Sequence, residues 1–181
     1  INAGQTHIAE NYLQEALKKA GALHGLNIIW HFIGPIQSNK THSIAEHFHW
    51  VHSVDRLKIA QRLSAQRPTT MDPLKILLQV NIGGENSKSG IALDALEKLA
   101  TDCDKLPGIL LSGLMAIPAP TDVIEVQRQQ FQQLREARDN LISKGFNNCT
   151  ELSMGMSGDF EAAIAEGATM IRIGTDIFGP R

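Results

Sequence analysis

Ser157, Gly158, Gly174 and Thr175 are the residues of this chain best suited to chemistry, because each pair sits where an apolar run breaks into a small polar turn. In residues 153–167, SMGMSGDFEAAIAEG, the stretch 152–156 reads as a strand and Ser157, Gly158 and Asp159 as a turn with helix-capping chemistry. Phe160, Ala163 and Ile164 then recur at helical spacing. In residues 170–179, MIRIGTDIFG, Gly174 and Thr175 follow an apolar run in the same way. A strand that ends in such a turn and opens a helix aims unpaired backbone N–H groups, and the positive end of the helix dipole, at one point. That point suits an anion, usually a phosphate. The competing reading makes Ser157 and Thr175 plain helix caps, which explains either turn alone better than the recurrence of the pair.

The elements that must carry these turns alternate regularly. Apolar strand candidates lie at residues 27–33, 50–54, 76–82, 110–117, 151–156 and 170–174, with a weaker one at 7–9. Helical patterns fill the intervals at 11–19, 39–47, 56–66, 93–104, 125–143 and 159–166. Strands that alternate with helices predict an α/β fold with a parallel sheet, doubly wound or closed into a barrel. Paired phosphate turns after the last two strands favour a (β/α)8 barrel, whose shared site lies at the strands' C-terminal ends. Such a barrel needs eight strands and typically ~250 residues, whereas this chain of 181 residues offers seven and begins at Ile1 in what reads as the tail of a helix. The expectation is therefore one domain over residues 1–181 that lacks its first βα unit.

Composition narrows the function. A net charge of −2 with scattered Lys and Arg argues against a nucleic-acid partner. No apolar run approaches the ~20 residues of a membrane span, and Cys103 and Cys149 lie among polar neighbours without metal-ligand spacing. Free thiols and a cytoplasmic location are expected, as is a monomer, since no apolar interface stripe is left over.

Residues 30–44, WHFIGPIQSNKTHSI, decide between families. On physical grounds they are a strand, a Gly-Pro turn, polar turn residues Gln37, Ser38 and Asn39, and a basic helix start at Lys40. As a string they resemble the signature of the YggS/PROSC family of pyridoxal 5'-phosphate homeostasis proteins. AENY (9–12), VNIGGENSKSG (80–90), GLMAIP (113–118), SMGMSGDFEAAI and RIGT agree along the whole chain. The resemblance implies a barrel similar to that of alanine racemase, with pyridoxal phosphate at its C-terminal mouth. It implies that Ser157, Gly158, Gly174 and Thr175 take the phosphate, that Arg172 faces the pyridine nitrogen, and that Asn11 and Met115 line the ring. A cation in the place of Arg172 disfavours a protonated ring and weakens it as an electron sink. The family more often has Gly in the place of Ala9, and the lysine that holds its cofactor covalently belongs to a first strand this chain lacks.

The remaining reactive side chains carry less. Lys40 and Lys88 are the lysines in turns near strand ends, and both read as solvated; Lys88 is the better second basic group near the phosphate entrance. His47, His49 and His52 contain an HxH pair without the companions a zinc site needs. His31 reads as a satisfied core histidine, Asp159 and Glu161 as helix-dipole partners and caps, and Met115, Met154 and Met156 from pattern alone as core filling. Three functions are compatible with these residues: a pyridoxal phosphate carrier in vitamin B6 homeostasis that turns over no substrate and serves apo forms of pyridoxal phosphate enzymes; an amino-acid racemase; and a barrel enzyme acting on a sugar phosphate. The first accounts for both the C-terminal turns and residues 30–44. A racemase needs a second acid/base, which similar enzymes draw from a further domain.

Overall fold

A computed structural model describes residues 1–83 and 89–179. Seven strands occur in chain order: β1 (His7–Glu10), β2 (Ile29–Phe32), β3 (Trp50–Val54), β4 (Leu74–Gln79), β5 (Ile109–Met115), β6 (Glu151–Met156) and β7 (Met170–Arg172). They form one parallel sheet in the order β1-β2-β3-β4-β5-β6-β7, curled into a nearly closed barrel. Among the described residues no pairing joins β7 to β1. Helices alternate with the strands: α1 (Leu13–Ala22), α2 (Thr41–His47), α3 (Leu57–Gln66), α4 (Leu93–Asp104), α5 (Ile124–Ser143), α6 (Phe160–Ala165) and α7 (Thr175–Phe178). The expected strands and helices are all present, with boundaries moved by a few residues and a 3-10 turn (Ser38–Lys40) in place of the first helical turn expected at 39–47.

Two cores hold the barrel, one on each face of the sheet. The outer one lies between strands and helices and uses one face of each helix: Ile59, Ala60 and Leu63 of α3, Leu96, Leu99 and Ala100 of α4, Phe131 and Leu134 of α5. Val51 and Val54, Ile76 and Leu78, and Leu114 and Leu152 face them from the sheet. The inner core is smaller, with Trp50, Leu77 and Met115 buried together against Ile29 and Met170. Because β2 and β7 both contribute to it, the sheet has curled far enough to meet itself across the interior. Burial on both faces leaves β3 buried at every position and β4 at every position but Lys75.

Both cysteines depart from the polar setting expected of them. Cys103 lies on the α4 stripe with Leu96, Leu99 and Ala100, and Cys149 precedes β6; both are free and fully buried. Burial pushes both thiols up to about 12, reinforced at Cys103 by Asp102 and Asp104 and opposed at Cys149 by Arg138. Polar neighbours in sequence mislead here because successive helical residues face different ways.

One glycine in residues 30–44 is fixed by a close approach. A Cβ at Gly34 would stand 1.9 Å from the Asn11 carbonyl oxygen, so the turn after β2 holds the turn after β1 backbone to backbone. Ser53 Oγ donates to the Gly34 carbonyl at 2.5 Å and extends this seam to β3.

Candidate functional site

All seven strands run parallel, so every residue just past a strand lies at the same, C-terminal end of the barrel. Asn11 follows β1, Met115 ends β5, Ser157 and Gly158 follow β6, Arg172 ends β7, and Gly174 and Thr175 come next. The last two turns touch: the Asp176 N–H points at Ser157 Oγ, 3.4 Å away. The backbone N–H groups of Ser157, Gly158, Gly174 and Thr175 make no hydrogen bond among the described residues. A Cβ placed on Gly158 or Gly174 would meet no atom within 4 Å, so space lies open before both turns. Four unpaired donors on two adjoining turns can bind a tetrahedral anion.

The capping chemistry expected at the first turn is not what the side chains do. Neither α6 nor α7 is capped by the side chain of its own N-cap residue. Asp159 accepts instead from the Met156 N–H at 2.6 Å, tying the turn back onto its own strand. Thr175 is the first residue of α7 rather than its cap. Gly155, at φ +90°, sits beneath this turn, where a Cβ would come within 2.6 Å of the Ala163 side chain.

Arg172 stands beside the turns and is held from two sides. One terminal nitrogen donates to Ser153 Oγ at 2.8 Å and the other to the Ala116 carbonyl at 3.0 Å. Loss of solvent pulls the guanidinium down to about 10, opposed by Asp159, so it remains a cation at neutral pH. Asn11 is half-buried beside Gly34, and Met115 is fully buried in the inner core, forming the floor below the mouth.

Lys40 is half-buried at the end of the 3-10 turn. Lys88 lies outside the described residues, within 84–88. The histidines of residues 47–52 diverge: His47 Nδ1 bonds the Ser43 carbonyl at 2.9 Å, His49 Nδ1 accepts from the Trp30 N–H at 3.0 Å, and His52 points into the barrel. Among the described residues no group of three His, Cys, Asp or Glu side chains converges on a point.

His31, read from sequence as a satisfied core histidine, is buried with both ring nitrogens occupied and stacked on Trp50 at 5.6 Å. Its partners went unremarked in the sequence. His31 Nε2 lies 2.9 Å from His7 Nδ1, His31 Nδ1 lies 2.8 Å from His52 Nε2, and His52 Nδ1 lies 2.8 Å from Ser153 Oγ. The signal was present in the alternation: a polar residue at an inward position of an otherwise apolar strand faces the barrel interior.

The whole chain, residues 1–181, matches the alanine racemase N-terminal domain family. It is 58% identical to the pyridoxal phosphate homeostasis protein of Pseudomonas aeruginosa, over 99% of this chain and 76% of that protein. PipY of Synechococcus elongatus, solved with PLP bound, superposes with a TM-score of 0.89 at 36% identity, over 98% of this chain and 84% of that one. Alanine racemase from Corynebacterium glutamicum shares the fold alone, with a TM-score of 0.73 at 16% identity over 96% of this chain and 48% of the enzyme.

Proposed function

The chain belongs to the alanine racemase N-terminal domain family and, within it, to the pyridoxal phosphate homeostasis proteins, and on that premise we propose that it binds pyridoxal 5'-phosphate at the barrel mouth and carries it without turning over a substrate. The observation that carries this reading is the pair of adjoining turns, with unpaired N–H groups at Ser157, Gly158, Gly174 and Thr175 and open space before them. Those groups would hold the phosphate. Arg172, fixed by Ser153 and the Ala116 carbonyl, would donate to the pyridine nitrogen, while Asn11 would flank the ring and Met115 support it from below.

Pyridoxal phosphate supplies a reactive aldehyde on an electron-withdrawing ring. A cation at Arg172 keeps the ring nitrogen unprotonated and so blunts that withdrawal, which suits storage and delivery better than carbanion chemistry. The proposed recipients are apo forms of pyridoxal phosphate enzymes. A cytoplasmic location is supported by two unpaired, buried cysteines, and a monomer is the proposed state; no helix among the described residues is long and apolar enough to cross a membrane.

Fluorescence titration with pyridoxal phosphate, and with pyridoxal as the phosphate-free control, tests the reading. Saturable binding of the phosphate form is expected, with pyridoxal at least about tenfold weaker. Ser157→Ala combined with Thr175→Ala should weaken the phosphate form alone, by loosening the contact between the turns. Equal affinity for both ligands, untouched by the double substitution, would remove the turns from the site.

A further inference from the structure

The hydrogen bonds of His7, His31, His52 and Ser153 join end to end and reach Arg172, crossing from edge strand β1 through β2 and β3, over the interior to β6 and on to edge strand β7. Each link is 2.8 or 2.9 Å long. The line runs through His31 and His52 from one ring nitrogen to the other and ends at His7 Nδ1, so the rings are connected in series. Ser153 is fully buried, and His31 and His52 nearly so.

Chemistry gives this line a direction. A guanidinium donates only, so Ser153 Oγ accepts from Arg172. Among the described residues the hydroxyl proton of Ser153 then has His52 Nδ1 as its hydrogen-bonded acceptor. A neutral imidazole has one donor and one acceptor, so His52 donates through Nε2 to His31 Nδ1, and His31 donates through Nε2 to His7 Nδ1. The reverse direction would leave the Ser153 hydroxyl donating to nothing in a buried position, at a cost comparable to a lost hydrogen bond. Neutral rings fit their surroundings: burial first, then the His7, His49 and Lys75 charges, pulls His31 down to about 3, and burial, His31 and Arg172 hold His52 well below the usual range.

Resting on the cofactor reading above, we propose that Ser153 and His52 are positioning residues for pyridoxal phosphate: with His31 and His7 they form one directed hydrogen-bonded line that holds the Arg172 guanidinium assigned to the pyridine nitrogen. Neither residue touches the ligand. Their effect passes through Arg172, which without Ser153 would keep only its hydrogen bond to the Ala116 carbonyl.

The first measurement needs no cofactor. In the ¹⁵N-labelled chain, nitrogen–nitrogen couplings across hydrogen bonds should run from His52 Nε2–H to His31 Nδ1 and from His31 Nε2–H to His7 Nδ1. Couplings in the opposite sense, or a proton on His52 Nδ1, overturn the direction. The second compares pyridoxal phosphate binding by the intact chain, Ser153→Ala and Ser153→Thr. Ser153→Ala should bind about tenfold more weakly and shift the absorbance of the bound ring, because the ring nitrogen loses its fixed partner. Ser153→Thr keeps the hydroxyl and should restore both. The pair Ser157→Ala and Thr175→Ala should weaken affinity without the spectral shift. A folded Ser153→Ala chain with unchanged affinity and spectrum overturns the positioning role, and if that variant fails to fold, an unrestored spectrum in Ser153→Thr does so. If the intact chain binds no pyridoxal phosphate, the carrier reading fails, and the couplings still decide whether the line exists.

Discussion

Lowering the pH from 8 to 5 should remove about 2 kcal/mol of folding stability through His31 alone, with His52 adding to the loss. His31 and His52 are 4% and 2% exposed and have their charged forms disfavoured chiefly by burial, His31 down to about 3 from an ordinary 6.5 and His52 well below it. In the unfolded chain both return to about 6.5 and take up protons as the pH falls below that value. The folded chain does not follow, so the unfolded state binds more protons and stability declines with falling pH. Their stabilising neutrality is fully present above pH 6.5 and is lost progressively below it. His31 contributes a slope of about 1.4 kcal/mol per pH unit, which by pH 5 amounts to about 2 kcal/mol, and His52 adds to it in the same direction. Against a total stability of about 5–15 kcal/mol for a domain, that loss is a large fraction. His49, lowered by burial and by Arg67, acts in the same direction. Glu166 acts in a lower window: its carboxylate is held below the usual range chiefly by the Arg128 hydrogen bond, so its contribution is lost only as the pH falls below about 4.5. Urea unfolding between pH 8 and 5 reads the slope directly, and His52→Gln should reduce it. A slope under about 1 kcal/mol per unit between pH 6.5 and 5 would refute the reasoning, because the folded barrel would then be admitting the protons.

Gly34→Ala should destabilise by about 3 kcal/mol, since its Cβ would stand 1.9 Å from the Asn11 carbonyl oxygen and neither backbone is free to move; a fall in the urea midpoint at constant m-value measures it. Neither Cys103 nor Cys149 should react with a disulfide reagent at pH 8 in the folded chain, and both should react promptly in urea, because burial holds the thiols near 12. Alanine incubated in D2O with pyridoxal phosphate and the chain should exchange its Cα proton no faster than without the chain. Exchange at an ordinary enzymatic rate of ~10 per second would make the protein a catalyst instead of a carrier.

The sequence by itself determined the order of elements, a parallel α/β sheet and the two polar turns after its last strands, because each depends on local signals. The alternation of apolar runs with helical stripes needs only neighbours a few residues apart, and Gly/Ser turns announce themselves where β6 and β7 end. Residues 30–44 carried the family, and the structure supplied a reason for one of them: Gly34 must be bare because Asn11 passes against it. The tertiary structure alone decided which long-range partners meet. His52 and Ser153 are 101 residues apart and touch only because the sheet curls, and the HxH spacing at residues 47–49 drew attention to a metal where the important neighbour of His52 lies across the barrel. Asp159 had the position of a cap and spent its carboxylate on Met156. Cys103 had polar neighbours and was buried by the phase of α4. In each case side-chain chemistry was legible and its partner was not, because strand closure and helix rotation are set by the packing of both cores at once.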